Sequence, residues 1–154
     1  MGHITRVRQD RHGRGIRGVL LPDVPRRKSR SQQFDTAVID AYEPIVERFD
    51  DRLAALDVAV DIVPRMRLDV GYRQWPEDVV ADGQVPLGRL VPAGVDSSGR
   101  PTRPRIIIFR RPVELRAGSP AMLREQLHDI LVRLVAVYLN VPPEVIDPSF
   151  TWDR

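Results

Sequence analysis

The feature that most constrains this chain is the stretch from Ser119 to Pro143, SPAMLREQLHDILVRLVAVYLNVPP. It opens with Ser followed by Pro, a side-chain N-cap ahead of the residue best suited to the first helical position. Leu123, Leu127, Ile130, Leu131, Leu134, Val135 and Tyr138 then recur at helical spacing, and Asn140 with Pro142-Pro143 stops the run. A helix of about 20 residues is ~30 Å long, enough to run under an entire small sheet. Any fold for this chain must bury that helix along most of its length.

The remaining elements are shorter. Phe34, Val38, Ala41, Ile45, Phe49, Leu53 and Leu56 draw one apolar stripe at spacings of three and four, which predicts an amphipathic helix beginning at Ser31. Pro44 lies inside it and is expected to kink it or end its first segment. Val58 to Val63 reads as a strand with Val58, Val60 and Ile62 on one face, closed by Pro64. Arg65 to Asp82, with Tyr72 and Trp75, shows no clear element. Val85 to Pro92 reads as a strand near a sheet edge, because its prolines cannot donate to a ladder. Ala93 to Pro104, with Ser97-Ser98-Gly99, reads as a hairpin tip. Arg105 to Arg110 is the strongest strand, apolar on both faces and therefore central. The order gives an α+β domain: N-terminal helix, small mixed sheet, long C-terminal helix packed on it.

With 154 residues there is room for one ordinary domain. The 42% hydrophobic and 29% charged content places it with soluble globular chains. No apolar run approaches ~18 residues and no signal-peptide core follows the Arg-studded N-terminus, so a cytoplasmic protein without membrane contact is expected. Cysteine is absent, which excludes disulfides, thiolate nucleophiles and Cys-based zinc sites.

Charge is unevenly placed. Residues 1–33 hold nine basic side chains against two acids, a local charge of +7, whereas the other 121 residues carry 15 basic and 19 acidic groups, or −4. Residues 1–33 therefore read as an irregular Arg/Gly-rich arm, interrupted by Gly13, Gly15, Gly18, Pro22 and Pro25, ahead of a domain at 34–150. Its apolar island Val19-Leu20-Leu21-Pro22 is suited to dock on the body. Arg14, Arg17, Arg26, Arg27, Lys28 and Arg30 are the candidate partner-binding cations, either for phosphates of a nucleic acid, with little sequence specificity, or for the acidic body itself.

The long helix and its surroundings resemble the small zincin-like metallopeptidase family, a minimal version of the metzincin-type core. The resemblance runs from Phe34 to Pro148 and rests on the opening helix, PLGRL (Pro86 to Leu90), IIIFRRPVE (Ile106 to Glu114) and VRLVAVYLNVPPEVI (Val132 to Ile146). LHDILVRLVAVYLN and the RGRGIRGVLLP arm are similar to an actinobacterial-type branch in which the zinc motif is degenerate. The family implies a zinc cofactor held by H-E-x-x-H, where two imidazoles one turn apart bind the ion and the Glu deprotonates its water. Laid on the family's last helix without gaps, the first His falls on Arg133, the Glu on Leu134, the second His on Val137 and the downstream acidic ligand on Pro143, next to Glu144. A guanidinium, two aliphatic side chains and a proline hold no metal. The resemblance thus implies the fold without the catalytic groups: a pseudoenzyme that binds a protein or peptide, docked along the PLGRL edge strand as zincins align their substrates.

A second register starts at His128, with Asp129 in place of the Glu; it supplies one histidine of the roughly three ligands a catalytic zinc needs. An atypical metallohydrolase around His128 and Asp129 is the enzymatic alternative, and a nucleic-acid-associated protein using the arm is the third reading. The simpler expectation pairs Asp129 with Arg133 at i,i+4 and leaves His128 on the helix flank. If the fold is zincin-like, Arg133 should be buried with a carboxylate where the ion would have been. Ser97-Ser98 lacks a nucleophile elbow, and Gly13 to Gly18 fits G-x-G-x-x-G with neither strand before nor helix after. Trp75, Tyr72 and Phe109 read as core or loop-anchoring aromatics rather than base-stacking platforms.

Overall fold

A computed structural model describes residues 29–65 and 75–152. The long helix, here α3, spans Pro120–Leu139 as expected: Ser119 Oγ accepts the Met122 N–H at 3.2 Å, and Asn140 closes the helix in the left-handed region at φ 57°. Within Ile130–Ala136 every residue except Arg133 is buried. One side of α3 meets helix α1 (Arg30–Leu53), and another meets the sheet.

Among the described residues the sheet has four strands, β1 (Asp57–Asp61), β2 (Val79–Asp82), β3 (Val85–Val91) and β6 (Arg105–Phe109), in the order β1-β6-β3-β2. β6 runs parallel to β1 and antiparallel to β3, and β2 runs antiparallel to β3. Between β3 and β6 a small hairpin pairs β4 (Gly94–Val95) with β5 (Pro101–Thr102). Its tip is held by Asp96 Oδ1, which accepts from Ser98 N–H, Ser98 Oγ–H and Arg100 N–H. Two short helices, α2 (Arg110–Arg116) and α4 (Pro143–Ile146), pack on α3. The result is a mixed α+β domain, with a core running from Phe34 and Tyr42 through Ile106 and Ile108 to Leu134 and Phe150. Among the described residues no helix is long and apolar enough to cross a membrane.

Several expectations need correction. α1 starts at Arg30, not Ser31, because Ser29 and Gln32 form a reciprocal capping box; Arg30 therefore belongs to the domain rather than the arm. The helix continues through Pro44, whose fixed φ is compatible with helix, and departs from helical angles at Phe49 instead. It ends at Leu53, so Leu56 is buried from the turn that follows. β1 stops at Asp61, whose carboxylate accepts the Ile62 N–H, and Ile62 is 54% exposed. Arg110 opens a helix rather than ending a strand.

β3 is an interior strand between β6 and β2, and among the described residues β2 forms the edge, in a region where no element was expected. Pro86 is tolerated because it lies opposite Ala81, beside the register shift at Val80/Ala81, and before Gly88, where pairing with β6 begins. The β2–β3 connection is the two-residue loop Gly83-Gln84, with Gly83 at φ +60°. α3 packs closely on Gly88 in β3: a Cβ there would lie 2.9 Å from Ile130 Cγ2 and 3.3 Å from both Leu134 Cδ1 and the Ile107 carbonyl oxygen. The missing side chain lets Ile130 and Leu134 seat directly on the sheet.

Candidate functional site

The seam between strand β2 and helix α3 holds four of the candidate site residues, Asp129, Arg133, Val137 and Pro143. Arg133 projects from the one partly exposed position in the buried middle of α3. Its Nε stands 3.1 Å from Asp129 Oδ2, the i,i+4 pair expected from the sequence. The guanidinium also lies 5.1 Å from the ring centre of Trp152 and 5.5 Å from that of Phe150; the two rings meet edge to face at 88°. With 23% of its side chain exposed, Arg133 is neither sealed in the core nor free in solvent. Its Nε is buried without a hydrogen bond, since the contact to Asp129 lacks the alignment of one.

The other positions onto which the resemblance laid the zinc motif are scattered in role. Leu134 is fully buried in the core. Val137 is half-buried and faces the seam, and Pro143 starts α4. His128 does not join Asp129: its Nε2–H donates to Asp147 Oδ2 at 2.9 Å, nineteen residues along the chain. The other oxygen of Asp147 accepts from Ser149 N–H and Oγ–H at 2.9 and 2.7 Å. Partial burial alone would raise the Asp147 carboxyl, but the hydrogen bonds from His128 and Ser149, with the charge of His128, outweigh it and hold the pKa down to about 2. This turn fixes the C-terminal segment so that Phe150 is buried and Trp152 reaches Arg133. Among the described residues, no group of three or more His, Asp or Glu side chains converges as metal ligands would.

Two cavities lie along the seam. The larger, of about 810 Å³, is lined by Val79, Val80 and Ala81 of β2, by Arg133, Val137 and Asn140 of α3, and at its rim by Trp75 and Trp152. Trp75 is fixed by donating its indole N–H to the Gly83 carbonyl at 3.0 Å, the loop-anchoring role expected of it, and Phe109 is a core residue. The second, of about 480 Å³, shares Val80, Ala81 and Arg133 with the first and continues toward Gln126 and Met122. Arg133 is thus a common wall of both. PLGRL, expected at a sheet edge, is paired on both sides in β3, and among the described residues β2 is the edge on that side.

The remaining candidate cations separate. Arg14, Arg17, Arg26, Arg27 and Lys28, with the Val19–Pro22 island and Tyr72, lie outside the described residues. Arg30 lines a third cavity, between the start of α1 and the start of α3. Asp147, Phe150, Trp152 and the edge strand were missed from the sequence. Asp147-Pro148-Ser149 was a usable turn signal, whereas nothing local joins Trp152 to Arg133. No protein-family model and no curated protein matches the chain.

Proposed function

We propose that this protein is a zincin-like domain without a zinc site that works by binding, and that it takes an extended peptide segment of a partner protein in the groove between β2 and α3. The observation that carries this reading is the groove itself: an edge strand on one wall, α3 on the other, and two indole rings at the rim of a cavity of about 810 Å³. Exposed strand edges bind extended segments through main-chain hydrogen bonds, with alternate side chains entering pockets. By the sequence resemblance Arg133 takes the place of the first metal-binding His of the family helix; it stands beside the Asp129 carboxylate and would supply a positive charge without Lewis-acid chemistry.

Val137→Arg, which places a long side chain in the larger cavity, tests the binding claim. Peptides selected from a displayed random library on the wild-type chain should lose at least tenfold in affinity while the melting temperature moves by only a few degrees. Equal binding by the variant would remove the groove from consideration. Elemental mass spectrometry of protein purified without chelator or His-tag tests the other half: a trace of zinc well below one per chain is expected, and one zinc per chain would revive the metallohydrolase reading around His128.

A further inference from the structure

The chemistry of the occupant follows from what the groove leaves unsatisfied, and this inference rests on the peptide-binding reading above. Buried polar atoms are almost always hydrogen-bonded. Along this seam Arg133 Nε, a donor, and Gln126 Oε1, an acceptor, are both buried without a hydrogen bond. Both residues line the second cavity. They are seven residues apart on α3, so they stand on the same helical face, ~10.5 Å from one another along the axis. Val137 and Asn140 continue that face into the larger cavity. From Gln126 to Asn140 the stripe is ~21 Å long, the reach of about six residues in extended conformation.

Charge along the stripe is graded. Among the described residues the ionic side chains of the larger cavity are Arg133 and Glu77, and the α3 wall beyond Arg133 is Ala136, Val137 and Asn140. The second cavity holds Asp82, Glu125 and Asp129 against Arg116 and Arg133, with Asp82 at 3.8 Å from Arg116. The guanidinium is pre-oriented by Phe150, Trp152 and Asp129, and among the described residues it makes no hydrogen bond of its own. With Nε against Asp129, the partly exposed guanidinium has its terminal N–H groups left for a second carboxylate, which it can meet through two parallel N–H···O contacts.

We infer that the groove recognises an internal acidic side chain, Asp or Glu, seated on Arg133, in a peptide whose residues to one side are apolar and pack between Trp75 and Trp152. The acid is internal rather than a chain terminus because the groove continues past Arg133 into the second cavity. On that side a residue carrying a hydrogen-bond donor meets Gln126 Oε1.

The test selects peptides from a displayed random library on the full chain and then changes the peptide, so that the protein's own folding is not at issue. The selected sequences should share one acidic residue with apolar neighbours on one side. Replacing that acid by its amide should weaken binding at least tenfold on wild type, and by less than twofold on Arg133→Met. Selected peptides that tolerate the amide on wild type would overturn the inference and leave the groove standing. Failure to select any peptide that responds to Val137→Arg would remove the groove and the inference together.

Discussion

At the residue scale, Arg133 and Asp147 divide the work of the seam. The guanidinium is held by two aromatic faces and one carboxylate, and each cation–π contact at a half-open site contributes about 0.5–1 kcal/mol. Arg133→Ala is therefore expected to lower stability by roughly 1–2 kcal/mol, read from the urea midpoint, with the Trp emission shifted because Trp152 loses its contact. Asp147 gives a pH signature. Its carboxyl titrates at about 2 when folded, against an ordinary value of 3.8, so its contribution is fully present above pH 4 and is lost as the pH falls from 4 through 2. Asp147→Asn should flatten the dependence of the unfolding midpoint in that window. An unchanged slope would mean that the His128–Asp147–Ser149 turn contributes nothing. The sequence already paired Asp129 with Arg133, because i,i+4 spacing is local. It could not pair His128 with Asp147, because that contact depends on the path of the chain after α3.

At the element scale, the two long helices and β6 were legible because each satisfies its own rules: a cap at each end of α3, a stripe on α1, and a β-branched run in β6. The edge was misread because Pro86 was weighed as a property of a whole strand, whereas the sheet accommodates it at a bulge near one end. β2, four residues long, has no periodicity to read, although Asp82-Gly83 ahead of Val85 was a hairpin signal. α2 was hidden because Pro112 falls in its first turn, where a missing N–H costs nothing. The seating of α3 on β3 depends on Gly88. Gly88→Ala should cost about 1–3 kcal/mol by forcing the helix or its Ile130 side chain away from the sheet, and Gly88→Val more; thermal unfolding reads both. Because the groove is the space between β2 and α3, Gly88→Ala should also weaken peptide binding while leaving Arg133 in place.

At the scale of the whole molecule, α1 carries its own start signal in the Ser29–Gln32 capping box and needs nothing upstream to begin. Deleting residues 1–28 is expected to leave the melting temperature within a few degrees. A large loss would make the arm part of the domain, and loss of nucleic-acid retention at unchanged stability would support the phosphate-binding reading of its cations. The fold places the chain's only two tryptophans, Trp75 and Trp152, at the rim of one cavity, so intrinsic fluorescence reports on the groove. The most direct measurement is therefore a tryptophan-emission titration with a selected peptide, on wild type and on Val137→Arg. A saturable change on wild type that vanishes in the variant is predicted. Binding of the same peptide with no change in tryptophan emission would place the binding surface elsewhere and contradict the groove.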